Sequence, residues 1–229
     1  MKRQNMKSKM VLCVLLVLIL TIASTAALAA TPGGWTVSKA RYSFLTTSQQ
    51  KVFNKATNGL MGMSYQPVAL LAKQSVAGTN YVFLCQGQTV TAKPTKAWYV
   101  LTASRSLKNK VTLRSVKKIN IANIKTSKNP RSATLSGGLQ IVKFKNVPAA
   151  LTGSVRKVFR KGTDGYVGYD LRPIALLGTQ VTAGTNYRFL CYATGYAGSD
   201  LFVVDIYQNT DGKCSMESCR SLKLEKYVD

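Results

Sequence analysis

The pattern of hydrophobic and polar positions in this chain occurs twice, about one hundred residues apart. Each occurrence opens with an alternating segment, continues with apolar residues spaced three and four apart, and ends in alternating segments divided by turn residues. Strict alternation predicts β-strands, whereas spacings of three and four predict an amphipathic helix. The pattern therefore predicts one strand, one helix and then four strands in each half of the chain.

The two helical segments carry start and stop signals of different strength. In the first half, Thr47 and Gln50 have the spacing of a capping box, and Gly59 suits the C-terminal cap. In the second half Gly165 suits the cap, but Gly162 within the segment predicts a weaker helix. The predicted apolar faces comprise Val52, Phe53, Ala56 and Leu60 in the first helix and Val155, Val158 and Phe159 in the second.

A meander of strands follows each helix. Pro67 suits the start or edge of a strand, and Gly78 is placed to take the positive φ that a hairpin turn needs. An antiparallel sheet wrapped around one helix buries both apolar faces, so the expected fold class is α+β. The predicted strands are residues 65–74, 79–91, 98–106 and 111–124 in the first half, and 169–180, 184–193, 201–208 and 214–224 in the second.

The two halves are also related by residue identity. Residues 51–85 align without a gap onto residues 157–191, 106 positions later, and 20 of the 35 aligned positions are identical. Such an interval is the length of a domain rather than of a solenoid repeat. We therefore expect two tandem domains, the first copy (30–124) and the second copy (137–229), each with about five strands around one helix. The polar segment 125–136 is the expected linker, and proteolysis there should leave two stable fragments.

The first 29 residues have the features of an export signal. Positive residues precede an apolar run at 10–22, and Ala27-Leu28-Ala29 offers a small-x-small cleavage pattern. The apolar run is short for a membrane span. We expect cleavage before Ala30, a secreted or periplasmic protein, and no membrane span in the mature chain.

Charge is distributed unevenly between the copies. Residues 30–136 contain sixteen Lys and Arg and no carboxylate, whereas residues 137–229 contain twelve basic and eight acidic side chains. This asymmetry favours an anionic partner or surface for the first copy. The alternative is a generally basic secreted protein whose charge serves solubility.

The absence of histidine excludes several classes of enzyme. Ser-His-Asp and Cys-His catalysis and imidazole-based zinc sites cannot be built from this chain. No carboxylate precedes Asp164, so the first copy lacks paired acids for catalysis and carboxylate ligands for a hard cation. We therefore expect a binding protein rather than an enzyme, with no metal and no cofactor.

Four cysteines remain after the expected cleavage. Cys85 and Cys191 occupy equivalent places in the two copies, and Cys214 and Cys219 occur in the second copy alone. Export permits disulfides, and four thiols allow three pairings. Cys191 paired with Cys214 or Cys219 would join two strands of one sheet. Cys85 is then expected to remain a free, buried thiol.

One motif of the first copy points to a protein family. Gln74-Ser75-Val76-Ala77-Gly78 has the form Gln-x-Val-x-Gly at the first predicted hairpin. Together with the glycine pair Gly33-Gly34 before the first strand and the single long helix, it resembles the cystatins, inhibitors of papain-like cysteine proteases. The second copy reads Gln180-Val181-Thr182-Ala183-Gly184, with threonine in the place of the family's valine, after the glycine pair Gly137-Gly138.

The resemblance implies inhibition by a wedge. In cystatins the glycine segment, the Gln-Val-Gly hairpin and a second hairpin bearing Pro-Trp enter the protease cleft side by side. The resemblance thus assigns protease binding to the glycine pair and the first hairpin of each copy. Neither copy has Pro-Trp at the expected second hairpins, near residues 106–110 and 209–213. Trp98 comes too early for that role and is expected to pack on the helix or its neighbours.

Two other interpretations remain open on the sequence. The pentapeptide could be present only because the hairpin needs glycine and a polar strand end. The fold could instead serve an extracellular interaction or adhesion module that binds an anionic cell-surface polymer through the first copy, without specific nucleic-acid recognition. Salt dependence separates such binding from inhibition by a wedge, because contacts to polyanions weaken steeply with ionic strength.

Overall fold

The computed structural model shows an α+β fold in each copy, as the sequence predicts. In each, one helix packs on an antiparallel sheet of four long strands, and a two-residue strand that precedes the helix extends the sheet. The structure describes residues 36–37, 45–121, 140–141, 151–195, 198–222 and 224–228. The predicted export signal, the linker and both glycine pairs lie outside these residues, so they and the domain boundaries stay predictions.

The first copy has its strands in sequence order across the sheet, β1-β2-β3-β4-β5, with every pair antiparallel. Its elements are β1 (Thr36–Val37), α1 (Thr47–Thr57), β2 (Met63–Val76), β3 (Gly78–Thr89), β4 (Lys96–Ser106) and β5 (Val111–Lys118).

The second copy repeats this arrangement with the order β6-β7-β8-β9-β10. Its elements are β6 (Gln140–Ile141), α2 (Gly153–Gly162), β7 (Asp170–Val181), β8 (Thr185–Gly195), β9 (Gly198–Gln208) and β10 (Cys214–Ser221), followed by a 3-10 helix (Leu224–Tyr227). Both meanders were predicted from alternation, and each long strand starts and ends within a few residues of its prediction except β5 and β10, which end earlier.

The start of α1 differs from the prediction by one residue. The N-cap is Thr46, whose hydroxyl accepts from the Gln49 amide while the Gln49 side chain accepts from the Thr46 amide. The capping box is therefore Thr46 with Gln49, not Thr47 with Gln50. The predicted apolar residues of α1 are buried except Leu60, which follows the helix and is 39% exposed.

Each helix packs on its own sheet through one pair of phenylalanines. Phe53 meets Phe83 edge to face at 5.4 Å between ring centroids, and Phe159 meets Phe189 in the same way at 5.0 Å. These residues are 106 positions apart in the chain, so the two copies share this contact. Gly162 ends α2 where any side chain would collide, since an added Cβ would lie 2.5 Å from Ile206 Cγ2.

The opposite face of each sheet is covered by the other copy. One hydrophobic cluster contains buried residues of both copies, and in the first copy these residues lie on β2, β3 and β4 and just after β5. On this face the two copies therefore share one cluster, whereas the helix side of the first copy forms a cluster of its own. The members from the first copy are Val68, Ala69, Leu71, Ala72, Val82, Leu84, Trp98, Val100, Ile119 and Ile121.

Two aromatic side chains join the copies in a reciprocal way. The Trp98 indole donates from Nε1 to the carbonyl oxygen of Leu177 at 2.6 Å, and the Tyr192 hydroxyl donates to the carbonyl oxygen of Leu70. Both carbonyls lie where the strand register shifts, between Leu70 and Ala72 in one copy and at the equivalent place in the other. Trp98 was expected to pack on the helix or its neighbours, and the structure places it between the two copies.

A buried ion pair in the second copy also reaches the first. Arg188 on β8 donates two hydrogen bonds to the Asp205 carboxylate on β9, at 2.6 and 2.9 Å, and both side chains are almost fully buried. Arg188 donates a further hydrogen bond to the backbone carbonyl of Ile121 in the first copy, and Ser218 donates to Asp205 at 2.8 Å. Burying these charges is compensated by this set of bonds.

Candidate functional site

The predicted motif of the first copy lies at a tight hairpin. Strand β2 ends at Val76 and β3 begins at Gly78, so Ala77 alone forms the tip. Behind the tip, the Asn80 side-chain amide donates to Gln74 Oε1 at 2.8 Å across the two strands. Val76 is 49% exposed, which leaves an apolar side chain in solvent at the end of the sheet.

Gly78 is required by the geometry of this tip for two reasons. Its φ is +131°, a conformation that residues with a side chain rarely adopt. An added Cβ would also lie 2.3 Å from the carbonyl oxygen of Arg105 on β4. The positive φ predicted for Gly78 is thus confirmed, and the close approach of β4 is an additional constraint.

The second hairpin of the first copy lies beside the first. Gly78 pairs with Ser106, the last residue of β4, so the two hairpin tips come together at one end of the sheet. The turn is closed by the Ser106 amide donating to the Lys110 carbonyl at 2.9 Å, at the place predicted. Its apolar residue is Leu107, which is 81% exposed.

A shallow cleft with a volume of about 190 Å³ lies next to the two tips. Arg114 borders it and donates from Nε to Ser104 Oγ at 3.1 Å. Arg105 also borders it, and its guanidinium lies 5.5 Å from the centroid of the Tyr81 ring. With Lys110 as a third cation, the rim of the cleft is positively charged.

The hairpin tips at the corresponding end of the second sheet have a different structure. Val181 ends β7 and is 60% exposed, and the Thr182 amide donates to the Gly184 carbonyl at 2.8 Å. Gly184 does not have a positive φ, but an added Cβ would lie 2.2 Å from the Gln208 carbonyl oxygen. The neighbouring hairpin (209–213) is polar throughout.

The cysteines of the described region are free thiols, so the predicted disulfide of the second copy is not formed in this structure. Cys191 is on β8 and Cys219 on β10, with β9 between them, and Cys214 pairs with the far end of β9. Strands two apart in a sheet are separated by about 10 Å, beyond the usual Cα separation of a disulfide. The pairing stays a prediction that would need movement of the backbone.

Burial controls the ionisation of these thiols. It raises the pKa of Cys85 and that of Cys191 well above the ordinary value, because both are enclosed by apolar side chains. The pKa of Cys219 is also raised by burial, partly offset by its hydrogen bond to the Tyr166 hydroxyl at 3.6 Å. The same surroundings raise the pKa of Tyr166 to about 12, mainly by burial. These thiols are therefore protonated at neutral pH.

Two further features are absent from the described part of the chain. It contains no group of three or more His, Cys, Asp or Glu side chains that could hold a metal ion. None of its helices has the length and apolar character needed to cross a membrane.

Comparison with known proteins assigns no family. No protein-family model matches the sequence, and no curated protein matches it. A solved structure described as an NTF2-like protein involved in plasmid conjugation is similar over 80% of this chain and 91% of its own, with a TM-score of 0.21 and 9% sequence identity. A similarity this distant indicates neither family nor function.

Sequence reasoning located both hairpins but missed two features of the site. Leu107 was not singled out, although an apolar residue between Ser106 and Lys108 in a polar turn was a visible signal. The cationic rim was also missed, because Arg105 and Arg114 come together only through the pairing of β4 with β5.

Proposed function

We propose that the protein is a non-enzymatic inhibitor of papain-like cysteine proteases. In this proposal the two hairpin tips of the first copy are the part that enters the protease cleft. The observation that supports this proposal is the placement of two hairpin tips side by side at one end of a sheet, with exposed Val76 and Leu107. Two adjacent hairpin tips that carry these exposed apolar side chains are narrow enough to enter a protease cleft. The cystatin resemblance of the Gln74–Gly78 sequence supports the same function.

The rigidity of the first tip favours binding. Sheet pairing on both sides of Ala77, together with the Asn80–Gln74 hydrogen bond, holds the tip in one conformation. Little conformational entropy is then lost when the edge enters a cleft. Leu107 takes the place where the family has its Pro-Trp contact, so the second hairpin keeps an apolar group for the same use.

The second copy is proposed to be the weaker inhibitor. Thr182 puts a hydroxyl where the first copy has Val76, and an unpaired buried hydroxyl costs about 1–3 kcal/mol. Its neighbouring hairpin offers Thr210 and Asp211 where the first copy has Leu107 and Lys108. Both differences leave the hairpin tips of the second copy with fewer apolar groups to contact a protease.

The proposal is tested by inhibition of papain with the chain from residue 30 onward. Point variants of this chain are preferable to isolated copies, because the copies share a core. Val76→Asp and Leu107→Asp should each weaken inhibition by about tenfold to one hundredfold, since a carboxylate would be placed against the apolar cleft. Thr182→Val should strengthen inhibition by the second copy.

Val90→Asp is the matched control. Val90 is 68% exposed at the opposite end of the first sheet, where its amide donates to the Gly62 carbonyl, so its replacement should leave inhibition unchanged. If Val76→Asp inhibits as well as the parent, or if the parent does not inhibit at micromolar concentration, the proposal is wrong.

A further inference from the structure

The first hairpin tip of the first copy borders the shallow cleft that lies next to it. Val76 and Ala77 of this tip line the cleft, and so do Lys110, just before β5, and Arg114, on β5. We call this feature the cationic cleft. A partner that receives the Val76 side chain therefore also faces the two cations.

The Arg114 side chain is held in place but keeps hydrogen-bonding capacity. Its Nε donates to Ser104 Oγ at 3.1 Å, and Arg114 makes no other side-chain hydrogen bond or ion pair with a described residue. The side chain is exposed, so its two Nη groups can donate to an incoming ligand. A guanidinium positioned in this way matches the planar, two-oxygen geometry of a carboxylate.

Lys110 is the second cation available to a partner. Its side chain is exposed and forms neither a hydrogen bond nor an ion pair with any residue of the described ranges. Arg105 also borders the cleft, but its guanidinium lies over the ring of Tyr81, a residue of the helix-side cluster. Residues 30–136 contain no Asp or Glu, so the first copy has no carboxylate to neutralise Lys110 and Arg114.

The second copy supplies a carboxylate of its own at this place. The strand registers put Lys213 and Glu217 where the first copy has Lys110 and Arg114. Glu217 Oε1 accepts a hydrogen bond from Ser215 Oγ at 2.8 Å. These two positions thus have a formal charge of 0 in the second copy and +2 in the first, so the first copy needs its acid from outside the chain.

On the basis of the proposed inhibition of papain-like proteases, on which this depends, we infer that the protease bound by the first copy carries an Asp or Glu side chain beside its active-site cleft. Arg114 binds this carboxylate through its Nη groups, and Lys110 adds a second attraction. Both cations also accelerate the encounter, because complementary charges at the rim of an interface steer association. Since the two cations border one small cleft next to the tip, a single carboxylate suits them better than a polymer of regularly spaced anions.

The test uses a papain-like protease that has Asp or Glu side chains at the rim of its active-site cleft. Association and dissociation rate constants of inhibition are measured for the chain from residue 30 onward, at low and at physiological salt. The cleft variant is Lys110→Gln with Arg114→Gln. The control, Lys51→Gln with Lys55→Gln, removes the same charge from two exposed positions of α1. Thermal unfolding shows that each variant is folded.

The cleft variant should associate with the protease about tenfold more slowly than the parent at low salt, and the difference should shrink as salt is added. The control variant should stay within about twofold of the parent, a change set only by overall charge. The Val76→Asp variant, measured in parallel, reports on the apolar tip alone.

Charge reversal on both proteins identifies the partner group. Each Asp or Glu at the rim of the protease cleft is replaced in turn by Lys. One of these protease variants should be inhibited about tenfold more slowly by the parent chain, while the cleft variant should not distinguish it from the unmodified protease. Arg114→Glu should restore fast inhibition of that protease variant and slow the inhibition of the unmodified one.

The outcomes separate this inference from the function on which it depends. If Val76→Asp weakens inhibition but the cleft variant behaves like the control, the acidic partner group is wrong and protease inhibition stands. If the parent chain does not inhibit at all, both are wrong. Heparin serves as a probe for polyanions: loss of heparin binding in the cleft variant, with inhibition unchanged, would show that the cleft binds a polymer and would also overturn the inference.

Discussion

The Trp98 indole and the Leu177 carbonyl oxygen form a buried 2.6 Å hydrogen bond between the two copies. Trp98 is fully buried, so Trp98→Phe should leave this carbonyl unpaired in an apolar interface. We expect a loss of about 1–3 kcal/mol in the free energy of unfolding, measured by urea denaturation. Because the copies share a core, unfolding should follow one transition for both.

Tyr187→Phe is the control for this prediction. Its hydroxyl donates to Gln208 Oε1 at 3.2 Å within the second copy, in a partly buried place. Its loss should lower the free energy of unfolding by no more than about 1 kcal/mol. Two separate transitions, of which Trp98→Phe shifts only one, would show instead that the copies unfold independently.

Asp205→Asn should be strongly destabilising. It would leave the Arg188 guanidinium buried without its counter-ion, which lowers the free energy of unfolding by about 3–5 kcal/mol. Asp170→Asn is the matched control, because the Arg172–Asp170 pair is half exposed and worth less than about 1 kcal/mol. Chemical denaturation of both variants measures the difference, and equal effects would contradict the role of burial.

Thr102→Val should stabilise the protein. Thr102 is 3% exposed, and its hydroxyl has no hydrogen-bond partner, nor has that of Ser115, the residue paired with it on β5. The second copy has Asp205 and Ser218 at these places, hydrogen-bonded to each other. Removing the unpaired hydroxyl should raise the free energy of unfolding by about 1 kcal/mol. Thr112→Val, on the exposed part of β5, should change it little.

Gly78→Ala should impair both folding and inhibition. The added Cβ would meet the Arg105 carbonyl oxygen, and the alanine backbone would have to adopt a φ of +131°. We therefore expect a loss of about 1–3 kcal/mol in the free energy of unfolding and a displaced hairpin tip. Gly59→Ala separates the two causes, since Gly59 also has a positive φ but no atom lies within 4 Å of an added Cβ. A Gly78→Ala protein as stable as Gly59→Ala would argue against the close contact.

Thiol reactivity should divide the cysteines into two pairs. Cys85 and Cys191 are fully buried with a raised pKa, so they should react with Ellman's reagent only on unfolding. Cys214 and Cys219 are partly exposed and should react first. Urea without reductant should release all four thiols of the chain from residue 30 onward. A count of two would instead support the disulfide predicted from the sequence.

The succession of elements could be predicted from the sequence because its causes are local. Alternation sets the strands, spacings of three and four set α1, and glycine at position 78 marks the first tip. The exact capping pair could not be predicted, since Thr46 and Thr47 both precede a glutamine by three residues. Only the backbone of the folded helix shows which threonine is the N-cap.

Tertiary structure decided what covers the sheets. The buried runs of β2 and β3 are apolar at successive positions, which indicates that both faces of the sheet are buried. The sequence pattern does not show which surface covers the face opposite the helix. Contact of Trp98 with Leu177, 79 positions away, depends on how two sheets pack. Local patterns specify each element, whereas their packing follows from surfaces that form only after folding.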